Sequence, residues 1–280
     1  MDTATTANRT VAPQEQQVRR PFFSEKAKTV AGSLAFLVFF LVAWQWGPGW
    51  IGMPEFILPN LTAVIKEAGV MWTSGNLLQH FGITALEVVF GFLLGALLGI
   101  GCGVVLGLSP RTEAMLSPYI LALQIAPKVA FAPLFVMWLG YTVYPKIIVA
   151  VLIVFFPIMI NVLSAVRTVD PDMINLVRTL NASRFQIFRL VEFRSAMPAL
   201  FSGLRIASTL SVIGVTVGEL VGGNKGLGYM LVEGEGQGNT AAVFVAICAL
   251  TIIGIVAYGA VVWAERRVLH YIPKATTTTV

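Results

Sequence analysis

Three ionisable side chains, Glu87, Lys128 and Glu219, sit inside strongly apolar stretches of the chain. A charge in such surroundings is costly, so it is expected either to find a partner or to serve transport. Counted along helices from their expected outer ends, Glu87 lies roughly 10 Å deep and Lys128 roughly 18 Å deep. Two readings follow. Lys128, directly after Pro127, faces a pathway and attracts an anionic substrate, or Glu87 and Lys128 form a salt bridge that neutralises two buried charges. Glu219 either reaches the outer interface from near a helix end or pairs with Lys225 in a gate.

Other residue types narrow the chemistry. Ser208, Thr209, Ser211 and Thr216 form a hydroxyl cluster able to line a polar pathway or to bond neighbouring helices. Phe131, Phe135 and Trp138 recur on one face, with Met137 beside them; that stripe suits lipid or core packing, or a planar substrate. His80 and His270 stand far apart and no carboxylates cluster, so a membrane-embedded enzyme is not expected. Cys102 and Cys248 lie in apolar runs without metal-ligand spacing and are expected to be inert. The run GGNKGLG from Gly222 carries a lysine but lacks the G-x-x-x-x-G-K-[ST] spacing of a nucleotide-binding loop.

The elements that must position these residues are apolar spans. Of 280 residues, 56% are hydrophobic and 12% charged, about half the charged fraction usual in soluble domains. The composition therefore gives an all-α polytopic membrane protein with no room for a soluble catalytic domain. Stretches of about 20 apolar residues occur at six places: 30–46, 84–108, 115–139, 146–166, 200–221 and 241–264. The second carries Gly91, Gly95, Gly99, Gly103 and Gly107 at a spacing of four, a smooth stripe for close helix packing. The third contains Pro118, Pro127 and Pro133 and is expected to be kinked or broken. Residues 1–29 are expected to be a disordered basic tail, 30–267 the membrane domain and 268–280 a second tail.

Positive charge orients the spans. Arg19, Arg20, Lys26, Lys28, Arg111, the segment from Arg178 to Arg194, and Arg266, Arg267 and Lys274 fall on one side, expected to be cytoplasmic together with both termini.

The longest loop on that side, 170–194, reads as a helical hairpin. Asp170-Pro171-Asp172 supplies a cap, a proline at the first helical position and an acid at the N-terminal dipole. Asn181 suits the left-handed turn that closes a helix, and Ser183 with Gln186 fits a capping box opening a second short helix. Phe185, Phe188 and Val191 then recur at helical spacing, with Arg184 and Arg189 between them. Such an amphipathic hairpin suits either an anionic lipid surface or a groove in a partner protein.

The hairpin, with several segments in fixed order, resembles the permease subunits of ATP-binding-cassette importers, of the nitrate, taurine and sulfonate type. FILPN at Phe56–Asn60, APKVAFAPLFVMWLG at Ala126–Gly140, FFPIMIN at Phe155–Asn161, PALFSGLRIA at Pro198–Ala207 and GELVGGNKGLGYML at Gly218–Leu231 carry the likeness. In the family's docking loop, E-A-A-x-x-x-G followed by I-x-L-P, the corresponding residues here are Asn175, Leu176, Val177 and Asn181, then Val191, Phe193 and Arg194.

The resemblance implies a type I importer permease fold with about six transmembrane helices and a cytoplasmic coupling hairpin between the fourth and fifth. Asn175, Val177, Leu180, Asn181, Ala182, Ser183, Arg184, Phe185, Phe188 and Arg189 would form the ATPase-coupling surface. Glu87, Lys128, Phe131, Phe135, Ser208, Ser211, Thr216 and Glu219 would border the substrate pathway. It implies a bacterial cytoplasmic membrane location and a second permease copy as homodimer partner. Two cytoplasmic ATPases holding ATP and Mg, an extracytoplasmic binding protein and membrane lipid complete the expected partners. No cofactor in this chain and no nucleic-acid partner are expected. The cargo would be a small anion (nitrate, bicarbonate, sulfonate or taurine, aromatic carboxylate) or a vitamin-precursor heterocycle, moved by alternating access. A secondary transporter without an ATPase is the competing class; it calls for inverted repeats, and none is visible.

Overall fold

The computed structural model describes residues 22–270; Arg19, Arg20, Lys274 and most of both expected tails lie outside them. The first helix, α1 (Phe22–Ile51), begins before the expected Val30. A short helix, too brief to be found as a span, follows the polar joint after α1. The helix α2 (Leu61–Thr73) is capped by the Asn60 side chain, which accepts from the Ala63 amide at 2.8 Å. Trp44 ties α1 to this corner by donating to the Pro59 carbonyl at 3.1 Å. The long α3 (Asn76–Leu108) holds the glycine stripe and starts earlier than Thr84.

The proline-rich third span is broken, as its sequence requires. The helix α4 (Pro110–Ile125) runs through Pro118, and α5 (Ala132–Leu139) takes Pro133 into its first turn. Between them Pro127 precedes a short 3-10 turn, and the two segments bend by 77°. Counting this pair as one span gives six, with five unbroken helices long and apolar enough to cross a membrane among the described residues.

The centre of the bundle is α6 (Val143–Arg167). It is clasped between two glycine stripes that let backbones approach closely. A Cβ on Gly95 would lie 2.7 Å from Val154, and one on Gly99 or Gly103 would strike the carbonyls of Phe155 and Met159 at 2.8 and 2.7 Å. From the other side, the helix that follows the hairpin brings Gly214 to the Cα of Ala150 and Gly218 to the Cα of Lys146, where an added Cβ would in each case lie at 2.6 Å. Val149, Ala150, Val154 and Ile158 are consequently sealed from solvent.

The hairpin consists of α7 (Pro171–Thr179) and α8 (Arg184–Ile187). Asp170 accepts from the Asp172 amide, Asn181 adopts φ +58°, and both bonds of the Ser183–Gln186 capping box are present. The expected gap before the fifth span is absent. One π turn at Phe188–Glu192 hands α8 directly to α9 (Phe193–Gly222), giving a continuous helix of 39 residues. Pro198 lies inside it and removes one backbone bond without stopping it. The helix α10 (Leu227–Gly236) then lies across the opposite end, and α11 (Thr240–Val268) completes the bundle, with Asn239 capping it and donating to Glu67 on α2 at 2.9 Å. The end of the bundle bearing α7 and α8 is called below the hairpin end, and the other the far end.

Candidate functional site

The two long helices α3 and α6 pack along their length, and their register sets the first polar contact. The offset of 59 residues that separates Glu87 from Lys146 also separates Gly91 from Ala150, Gly95 from Val154 and Gly103 from Val162, all of which touch. Glu87 is therefore the next position on the glycine stripe, and it meets Lys146 at 2.9 Å with both side chains buried. The Glu87–Lys128 salt bridge, one of the two readings of these residues, does not form, since Lys128 instead donates to the Gln124 carbonyl. Similar depth cannot decide a pairing; the faces that meet do, and a run of small and branched residues four apart after Lys146 is the available signal.

Glu219 departs from both of its readings as well. It is 1% exposed, accepts from the Thr84 hydroxyl at 2.7 Å and from the Gly228 amide at 2.6 Å, and makes no bond to Lys225. Thr84 in turn accepts from the Leu227 amide at 2.8 Å, and Nδ1 of His80 accepts from the Gly226 amide at 2.8 Å. The Lys146 ammonium also donates to the Lys225 carbonyl at 3.3 Å. Together these side chains fasten the glycine-rich segment 223–228, where Gly226 has φ +113° and crowds the Glu219 carboxyl. Thr84 and His80 carry no sequence signal for this role beyond lying one turn apart on the same helix face.

Lys128 stands apart, at the break between α4 and α5. Its ammonium donates to the Gln124 carbonyl at 2.5 Å and more weakly to that of Ala126 at 3.4 Å, and lies 4.8 Å from the ring centre of Phe156. Phe156 is about 20 Å along α6 from its start, so the cation sits near mid-depth. Carbonyls freed at the end of α4 and an aromatic face are the groups that lower the cost of a cation there. Phe131, closing the 3-10 turn, lies tilted against Phe135 of α5 at 6.3 Å, and Phe135 meets Trp138 edge-on at 5.9 Å, with Phe131 and Trp138 exposed.

The hydroxyl cluster divides. Ser208 and Ser211 are buried and donate to the Arg205 and Ser208 carbonyls of their own helix, so neither presents a hydroxyl to an open face. Thr209 and Thr216 border an apolar groove of about 600 Å³ between α9 and α11. Among the described residues no group of His, Cys, Asp and Glu could hold a metal ion.

On the hairpin, Leu176, Leu180 and Phe185 are 65%, 76% and 69% exposed, beside exposed Asn175, Asn181, Ser183, Arg184 and Arg189, with Val177 and Ala182 half-buried. The expected set of Phe185, Phe188 and Val191 is not one outward face. Val191 is buried and Phe188 leans on Phe193 at 5.8 Å, because this helix is continuous with α9 and takes its facing from that helix's packing.

Residues 91–270 match the family described as binding-protein-dependent transport system inner membrane component. The chain is 36% identical to the riboflavin transport system permease protein of Chloroflexus aurantiacus, over 84% of this chain and 88% of that one. It is 31% identical to the formylaminopyrimidine transport permease protein of Halalkalibacterium halodurans, over 85% and 95%. A probable ABC transporter permease of Haemophilus influenzae is 34% identical over 81% and 92%. In fold, the chain is similar to an inward-facing structure of the MetNI methionine ABC transporter, with TM-score 0.61 and 18% identity over 74% of this chain and 99% of that one. The broken third span, the hairpin before the fifth and this match over most of the membrane domain agree: the chain belongs to the inner-membrane permease family of binding-protein-dependent ABC importers, as a multi-pass transport subunit that is not itself an enzyme.

Proposed function

We propose that two copies of this chain form the membrane pathway for a small planar anion or anionic heterocycle, driven by ATPases docked on the 170–194 hairpins. The observation that carries the substrate class is Lys128: one cation at mid-depth, at a break in a span, over the Phe156 ring and in the same short turn as the exposed Phe131. Transporters commonly bind substrate at discontinuous helices near the midplane, and a ring carrying negative charge would find both a counter-ion and stacking partners there. The riboflavin and formylaminopyrimidine relatives support a ring over nitrate or bicarbonate as cargo. Arg111, Arg167, Arg178, Arg184 and Arg189 gather at the hairpin end, which supports a cytoplasmic position for it and for both termini.

Uptake into proteoliposomes tests the pathway. Lys128→Met is expected to cut the uptake of an anionic ring compound about tenfold or more, the loss of one charge-assisted contact, while the basal ATPase rate of the complex persists. Unchanged uptake removes Lys128 from the pathway. Docking is tested separately: Leu180→Asp with Phe185→Asp puts two charges into an apolar contact and is expected to release the ATPase on purification while the membrane bundle keeps its melting temperature. An ATPase that stays bound at wild-type stoichiometry turns the hairpin into a lipid-facing element.

A further inference from the structure

The far-end cluster does not balance its charges. Glu87, Glu219 and Lys146 are the buried charged side chains among the described residues, and two carboxylates against one ammonium would leave a net negative charge out of reach of water, a heavily penalised arrangement. Its hydrogen bonds do not balance either. Glu87 is 3% exposed; its Oε1 takes the Lys146 ammonium, while its Oε2 is buried with no partner. The nearest carboxyl the geometry places beside it is that of Glu219, held at 2.7 Å by Thr84, one turn before Glu87 on α3. Ionised carboxylates only accept, so two of them cannot satisfy one another.

We propose that this cluster is a proton-binding site, in which a single proton resides on Glu219 and is donated to Oε2 of Glu87. The assignment to Glu219 follows from the partners. Glu87 holds the ammonium and remains ionised, whereas Glu219 meets only the neutral donors of Thr84 and Gly228, leaving lone pairs on both its oxygens after the O–H is formed. With one proton, the three side chains sum to zero charge and the orphaned oxygen gains its donor. The other titratable groups facing the cluster are His80 on α3, already bonded to the Gly226 amide, Lys225 in the segment before α10, which contributes its carbonyl to Lys146, and Glu233 on α10, which faces His80. None supplies a second positive charge to the two carboxyls. Because Glu219 and Thr84 hold the Gly228 and Leu227 amides, the proton keeps the floor of the 223–228 segment neutral while it is fastened.

Infrared spectroscopy of the purified chain in lipid nanodiscs at pH 7 tests this without a transport assay, so its failure leaves the proposed function standing. A carbonyl stretch of a protonated carboxyl is expected, displaced when the glutamates carry ¹³C and lost in Glu219→Gln, whose amide replaces the O–H donor at equal size. A wild-type spectrum without a label-sensitive band of this kind overturns the proposal, and so does a band that survives in Glu219→Gln. Should that variant fail to fold, the labelled wild-type spectrum decides: presence of the band supports the site and absence refutes it.

Discussion

Replacing Lys146 with Met is expected to destabilise the bundle by about 3–5 kcal/mol, the range for breaking a buried ion pair by removing one partner. The Glu87 carboxylate would be left with no counter-ion, and the Lys225 carbonyl would lose its donor. The position is also tight, since the Cα of Lys146 is where Gly218 makes its closest approach, so no water can be admitted cheaply in place of the ammonium. Thermal unfolding of the detergent-solubilised chain, followed by size-exclusion chromatography, reads the loss directly. The double replacement Glu87→Met with Lys146→Met should recover most of it, because apolar side chains of similar volume can stand in for a buried pair with little net cost. A double variant no better than the single one would mean that the pair is not the source of the stability.

Gly103→Leu should also be damaging, for a different reason. A Cβ there meets the Met159 carbonyl at 2.7 Å and Val162 at 2.8 Å, and backbone cannot rotate aside as a side chain can. Overpacking of this kind typically costs about 1–3 kcal/mol and occasionally more, and since α3 lies against α6 along the whole glycine stripe, separation at one point would open its neighbours too. At Gly101, two residues away and on another face, a Cβ would meet nothing within 4 Å. Gly101→Leu is therefore expected to change the melting temperature little, and equal damage from both substitutions would show that the close contact at Gly103 is not the cause.

What the sequence makes legible is local. The Asp170 cap, the left-handed Asn181 and the Ser183–Gln186 box are each decided within four residues, and each stands where its chemistry requires. The spans follow from hydropathy, and the broken third from Pro127. The pairings are harder, because a charge's depth along one helix says nothing about which neighbour it faces; hydropathy puts Lys146 at the edge of a span, whereas the glycine register carries it into the core. Glu219 lies near a helix end, within reach of water on sequence grounds, and only the return of the 223–228 segment over it closes that route. The hairpin's outward face shifts for a similar reason: the rotation of Phe188 and Val191 is inherited from α9, whose packing lies far along the chain.

The unbroken helix from Arg184 to Gly222 has a mechanical meaning. At 1.5 Å per residue its 39 residues make a strut of about 58 Å, with the hairpin at one end and Glu219 near the other. An axial load applied at Arg184 arrives at the Glu219 carboxyl through a single stiff member, with no joint between separate parts to absorb the stroke. The π turn at Phe188–Glu192 widens its winding close to the hairpin end, leaving Phe193–Gly222 as one α-helix up to and past Glu219.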